Sequence, residues 1–248
     1  MTGWHVTERA RYQSRRWFSR LALLTLSAGF AFHPNSQAQA SFCGRDAMLV
    51  FDASSSMALP KAGPDPARIS EARQAMAAVL PDIAPLRRIG LMVYGPPHSE
   101  GRSGCEGIGL RFGPRPDAAL SVTAALDGLE PSGLTPLTAA VQTAAETLAF
   151  RDTPAIIVVI TDGIETCGGQ PCVLGRQLAE EGAHITVHVV GFRRVRDPLA
   201  LNSASDEGER HGKLKCLAQA TGGTYVDTET VEDLSVALRE TLGCVLVG

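Results

Sequence analysis

Two uninterrupted apolar runs, Ala47-Met48-Leu49-Val50-Phe51 and Ala155-Ile156-Ile157-Val158-Val159-Ile160, constrain this chain more than any other feature. A strand that faces water on one side alternates apolar and polar residues, so a run without a polar break implies a strand covered on both faces. Residues 88–94, with Ile89, Leu91 and Val93, and 184–191, with Ile185, Val187 and Val189, read as further strands. A short last strand is expected at 224–226 and an edge strand at 108–112. Helical period lies between them. Residues 68–80 align Ile69, Ala72, Met76 and Val79 and are closed by Pro81; residues 117–126 repeat the pattern weakly with Leu120, Ala124 and Ala125. Residues 136–148 place a proline at the first helical position and stack Leu137, Val141, Ala144 and Leu148. Further helices are expected at 172–181, roughly 214–220 and 231–242, with Gly182, Gly222 and Gly243 at their ends. Strands alternating with helices define an α/β fold: a mostly parallel sheet with helices on both faces. The Pro- and Gly-rich stretch 59–66 and the polar stretch 193–212 are expected as surface loops. Nothing marks an interdomain linker, so one domain is expected over residues 41–248.

Residues 1–40 have a different character. Arg9, Arg11, Arg15, Arg16 and Arg20 face Glu8 alone, the apolar run 21–32 follows, and Ala38-Gln39-Ala40 supplies a small-x-small cleavage pattern. The segment reads as an export signal peptide cut after Ala40. Ser14-Arg15-Arg16-Trp17-Phe18-Ser19-Arg20 resembles a twin-arginine signal, although Ser19 and Arg20 stand where that pattern usually has Leu and Lys, which leaves general secretory export open. An uncleaved anchor is the alternative, yet the run is much shorter than the ~20 apolar residues that span a bilayer. A periplasmic or secreted location and no stable membrane span in the mature form are expected. With the basic leader removed from a chain of formal charge −3, the remainder is acidic and lacks long basic runs, which argues against nucleic acid as a partner.

All six cysteines, Cys43, Cys105, Cys167, Cys172, Cys216 and Cys244, lie beyond the leader. An even number in an exported chain suggests disulfides, and the fifteen full pairings that six cysteines allow remain open. Cys43 with Cys244 is the easiest to argue, because these residues bracket the domain and domain termini often lie close together. That link would close a loop of about 200 residues, worth roughly 4–5 kcal/mol in the chain-entropy account. A zinc-thiolate site is disfavoured, since no CxxC occurs.

The chemistry is concentrated in three short stretches. Asp52-Ala53-Ser54-Ser55-Ser56 follows directly on the first buried run and so lies at that strand's carboxyl end. A carboxylate and two hydroxyls there offer oxygen ligands of the kind that hard cations such as Mg²⁺ take. Alone, such a stretch is more often a turn or helix cap. Gly133-Leu134-Thr135-Pro136-Leu137 adds a hydroxyl at a helix start, and Ile160-Thr161-Asp162-Gly163 adds a carboxylate at the end of the second buried run.

Together these stretches resemble the metal-ion-dependent adhesion site (MIDAS) of von Willebrand factor type A (VWA) domains, a Rossmann-like fold, over residues 45 to 244. The resemblance implies a doubly wound six-stranded sheet of order 3-2-1-4-5-6. It also implies metal ligation by Asp52, Ser54, Ser56, Thr135 and Asp162. Tyr94-Gly95 matches the family's usual ending of the second strand, and the Pro-bearing stretch after Ser56 departs from its pattern. In such a sheet the winding reverses between the first and fourth strands, and ligands bind at that switch point. The resemblance further implies a Mg²⁺ ion (or Mn²⁺ or Ca²⁺) with one vacant coordination position, filled by an Asp or Glu carboxylate of a partner protein. A non-enzymatic, metal-dependent adhesion or scaffold module is the expected function, and no catalytic residues are assigned. A metal-dependent hydrolase of the cell envelope is the alternative; His98, His184, His188 and His211 occur without an HExxH, GxSxG or Walker pattern. His184 and His188, four apart in a strand, are expected to share a face and pack under a helix. Residues 96–106 and 166–172 are expected to form the rim, stiffened by their cysteines.

Overall fold

The structure, a computed structural model, describes residues 44–60, 65–96, 104–163, 165–192 and 204–244, with 204–211 as backbone only. The expected leader 1–40 and Cys43 lie outside the described residues, as do parts of the stretches 59–66, 96–106 and 193–212. The described residues all belong to one compact unit.

Six strands form one sheet: β1 (Asp46–Asp52), β2 (Ile89–Tyr94), β3 (Ile108–Arg115), β4 (Ala155–Thr161), β5 (Ile185–Phe192) and β6 (Tyr225–Thr228), in the order β3-β2-β1-β4-β5-β6. All neighbours run parallel except β3, which pairs antiparallel with β2 and closes that edge. Among the described residues six α-helices accompany them: α1 (Arg68–Ile83), α2 (Ala119–Asp127), α3 (Leu137–Thr147), α4 (Pro171–Glu181), α5 (Ala204–Ala220) and α6 (Val231–Leu242). Because successive side chains of a strand point to opposite faces, each apolar run feeds two cores. Leu49, Phe51, Val158 and Ile160 pack with α1, α2 and α6, whereas Met48, Val50, Ile157 and Val159 pack with α3, α4 and α5. Burial of β2, β4 and all of β1 but Asp46 therefore explains why their interiors carry no polar break. The sheet is the mostly parallel, doubly wound arrangement of order 3-2-1-4-5-6.

Several expectations about the helices need correction. Pro81 lies inside α1 and does not close it; the proline lacks only its own N–H, and the Ala84 amide still bonds the Leu80 carbonyl at 2.9 Å. In α2, Leu120 is 83% exposed, and the short helix buries Val122 and Leu126 instead, an i, i+4 pair. Pro136 caps α3 from the position before its first residue. The polar stretch to residue 212 is not all loop, because α5 begins at Ala204. His184 and His188 do not share a buried face: His184 precedes β5 with φ +64° and is exposed, while His188 Nδ1 bonds the Thr224 hydroxyl at 2.9 Å.

At the amino end of the sheet, the buried Arg87 guanidinium donates to the carbonyls of Leu242 (2.7 Å) and Arg45 (3.0 Å). The segments leading to Cys43 and Cys244 thus converge on one side chain. The pairing of those two cysteines has one end outside the described residues.

Candidate functional site

Strands β1 and β4 are direct neighbours with Phe51 opposite Ile160, so Asp52 and the residues after Ile160 leave the sheet side by side. Asp52 is fully buried at the last position of β1, and its two oxygens are both engaged. Oδ1 accepts from the Ser54 amide at 2.8 Å, and Oδ2 accepts from the Thr161 hydroxyl at 2.6 Å. The Thr161 hydroxyl in turn accepts from the Gly163 amide at 3.1 Å, which fixes the chain around Asp162. The Ser56 hydroxyl donates to Asp162 Oδ1 at 2.7 Å and lies 3.1 Å from the Ser54 hydroxyl. The other Asp162 oxygen, Oδ2, pairs with the guanidinium of Arg68.

Thr135 reaches the same place from a third segment. A Cβ built on Gly163 would lie 3.6 Å from Ser56 Oγ, 3.8 Å from Thr135 Oγ1 and 4.0 Å from Asp52 Oδ2, so three oxygens from two segments face one small space beside a third segment. Thr166 holds Thr135 there, since its hydroxyl accepts from the Thr135 amide (2.8 Å) and its amide donates to the Thr135 carbonyl (3.1 Å). The neighbouring Glu165 carboxylate accepts from the Thr138 amide at the start of α3 and from the Cys167 amide, both at 2.7 Å. Cys167 is disulfide-bonded to Cys105, which lies just before β3. The second described disulfide, Cys172–Cys216, joins α4 to α5.

Two glycines let these segments approach. Gly95 has φ +113°, and a Cβ there would meet the Ser54 amide nitrogen at 2.5 Å; Gly133 has φ +78°, and a Cβ there would meet the Gly95 carbonyl oxygen at 2.1 Å. The backbone bonds that result, Ala53 amide to Tyr94 carbonyl, Ser132 amide to Ala53 carbonyl and Ser55 amide to Gly133 carbonyl, knit the loop after β1 to its two neighbours. Gly133→Ala is expected to cost about 2 kcal/mol, since it adds both left-handed backbone strain and a clash with backbone that has nowhere to go. Urea unfolding of the purified variant against the parent measures it.

Electrostatically, the site gathers negative charge. Burial, and after it the nearby Asp162 carboxylate, push the Asp52 pKa up to about 6, against the lowering effect of the Ser54 and Thr161 hydrogen bonds. Tyr94, at the end of β2, is raised for the same leading reason, burial, with the Asp52 charge next. Among the described residues no three His, Cys, Asp or Glu side chains gather closely enough to hold a metal. A cation here would have to rest on two carboxylates supplemented by hydroxyls. Sequence reasoning named Asp52, Ser54, Ser56, Thr135 and Asp162, and the structure brings the five together. It missed Arg68, Thr161 and Thr166. For Thr161 a signal existed, a hydroxyl at the last position of a strand with no other polar residue.

The site thus lies on a doubly wound sheet of order 3-2-1-4-5-6, at the carboxyl ends of its first and fourth strands. Residues 47–165 match the sequence profile of the von Willebrand factor type A domain, and the chain is a VWA-domain-containing protein. It is 27% identical over 192 residues to YwmC of Bacillus subtilis (strain 168), covering 75% of this chain and 78% of that one. Among solved structures, BatB from Bacteroides thetaiotaomicron superposes with a TM-score of 0.55 at 18% identity, over 80% of this chain and 98% of that one. The vWF domain of the type V pili tip protein Mfa5 from Porphyromonas gingivalis gives 0.57 at 13% identity, over 79% and 93%. At these identities the two structures establish the shared fold.

Proposed function

We propose that this chain is a non-enzymatic, divalent-metal-dependent protein-binding module. In this reading Asp52, Ser54, Ser56, Thr135 and Asp162 hold a Mg²⁺ ion, or Mn²⁺ or Ca²⁺ in its place. The observation that carries it is the convergence of Asp52, Ser56 and Thr135 oxygens on the space beside Gly163. Hydroxyls and carboxylates are the hard oxygen donors such ions take. Two neighbouring carboxylates, Asp52 fully buried and Asp162 beside it, also supply the negative potential that draws a cation in. When bound, the ion supplies Lewis acidity toward one further oxygen, which a partner protein's Asp or Glu side chain provides. The chain's own residues do the rest: Thr161 and the Ser54 amide aim Asp52, Thr166 seats Thr135, and Ser56 steadies Asp162.

Export of residues 41–248 after removal of the signal segment 1–40 belongs to the same reading. The two described disulfides support it, because such bonds persist in oxidising compartments. Among the described residues no helix is long and apolar enough to cross a membrane. The adhesive role draws on the likeness to a pilus-tip protein's domain. Among the described residues no specific observation favours a hydrolase: His184 precedes β5, and His188 sits opposite Val158 in mid-sheet, its pKa lowered to about 4 by burial and then by Arg87, while His98 and the His211 side chain lie outside the described residues.

Saturating Mg²⁺ is expected to raise the melting temperature of the purified domain by several degrees over EDTA, as any ligand of the native state does. Thr135→Val, which keeps the shape and removes the donor, is expected to lose most of that shift. Indifference of the wild-type domain to Mg²⁺, Mn²⁺ and Ca²⁺ alike would overturn the reading. Capture of envelope proteins on the immobilised domain, with and without chelator, then identifies the partner.

A further inference from the structure

Arg68 opens α1, yet it is only 2% exposed, an unusual burial for a charged residue at a helix start. Its Nη1 pairs with Asp162 Oδ2 and also donates to the Ser56 carbonyl at 3.1 Å, so one guanidinium nitrogen touches two of the five site residues. Nε and Nη2 are buried without a hydrogen-bond partner among the described residues. Stability alone gives little reason for this arrangement. Taking a guanidinium out of water costs several kcal/mol in general, and leaving buried donors unpaired adds to that cost. An apolar residue at the start of α1 would pack against the same neighbours without either penalty.

We propose that Arg68 is a tethered counter-cation of the site: it neutralises Asp162 in the metal-free domain and competes with the divalent ion for that carboxylate. The inference rests on the reading of the five residues as a cation site. Charge counting gives its consequence. Asp52, Asp162 and Arg68 together carry one net negative charge, so a bound divalent ion leaves the site one net positive charge, which an incoming carboxylate cancels. Without Arg68 the occupied site is neutral and has no net attraction for an acidic partner. Arg68 thus trades metal affinity for appetite toward an anionic ligand. It is a positioning and tuning residue, acting on the metal through Asp162.

The test is calorimetric titration of the full domain with MgCl₂ alone, alongside Arg68→Gln and Arg68→Lys. Arg68→Gln is expected to bind Mg²⁺ about tenfold tighter, because a positive charge near the ion is gone, while its metal-free form melts lower than wild type. Arg68→Lys, which keeps the charge, stays within about threefold of wild type. Equal or weaker Mg²⁺ binding by folded Arg68→Gln overturns the proposal and leaves the cation-site reading standing. Absence of Mg²⁺ binding by the wild-type domain overturns both. Should the Gln variant fail to fold, the wild-type protein still decides: the Arg68 guanidinium ¹⁵N and ¹H resonances should move on Mg²⁺ saturation. Resonances that stay in place overturn the proposal.

Discussion

Asp52→Asn is expected to make the metal-free domain more stable at neutral pH and, in the same protein, to abolish its response to Mg²⁺. The two effects share one cause. Asp52 is fully buried and its pKa is raised to about 6 from 3.8, by burial first and by Asp162 second. A carboxyl whose folded value lies above its unfolded value contributes most to stability below the unfolded value, and that contribution is lost as pH rises through the folded one. The native state therefore holds the proton more tightly between about pH 4 and 6. Above that window the ionised carboxylate costs the fold up to about 3 kcal/mol. Asparagine removes the charge and fits the existing bonds. Its oxygen accepts from the Ser54 amide, and its amide donates to the Thr161 hydroxyl, which can turn its proton to the Gly163 carbonyl 3.2 Å away. A gain of about 1–3 kcal/mol over wild type at pH 7 in EDTA, read by urea unfolding, is the expected result.

The same linkage sets how the metal response depends on pH. A cation that needs Asp52 ionised must displace its proton below about pH 6. The stabilisation that Mg²⁺ confers should be largest at pH 7 and fade through pH 6 to 5, while the metal-free protein becomes more stable over the same interval. Mg²⁺ stabilisation that is flat from pH 5 to 7, or a metal-free Asp52→Asn protein markedly less stable than wild type, would mean that the carboxylate is satisfied without a cation.

The fold was legible because its central strands are covered on both faces, and burial of that kind leaves a mark in sequence that no exposed element leaves. β1 and β4 could be placed to within a residue or so from their apolar runs. Asp52, Ser54, Ser56 and Asp162 were legible because they fall where those runs stop, and Thr135 because it stands just before a helix start. What was hidden is what only the third dimension supplies. Arg68 looks like a solvated residue at a helix start, and nothing local shows that Asp162, 94 positions on, meets it. Thr166 looks like loop, and its grip on Thr135 bridges 31 positions. The first part of α5 is polar and carries no apolar stripe, so periodicity had nothing to detect. Leu120 fell on the expected apolar stripe of α2 yet faces solvent, because so short a helix meets the core through Val122 and Leu126.

The disulfides supply the other large effect, and they separate stability from binding. Cys105 and Cys167 are 62 positions apart, and Cys172 and Cys216 are 44 apart. In the chain-entropy account each link restrains the unfolded chain by about 4 kcal/mol, because the dependence on loop length is only logarithmic. Cys105→Ser with Cys167→Ser, and Cys172→Ser with Cys216→Ser, should therefore lose similar stability. Their effects on the metal response should differ. Cys167 adjoins Thr166, which seats Thr135, and its amide bonds the Glu165 carboxylate that also caps the start of α3. Cys172 and Cys216 join two helices and bond to none of the five site residues. Loss of the first link is expected to weaken Mg²⁺ binding about tenfold by freeing the segment that positions Thr135, whereas loss of the second leaves it within about twofold. Calorimetric titration with Mg²⁺ at a temperature where both variants remain folded measures the difference. Equal weakening in the two would show that the links act on the fold as a whole, and no weakening in either would show that Thr135 keeps its place without the 105–167 bond.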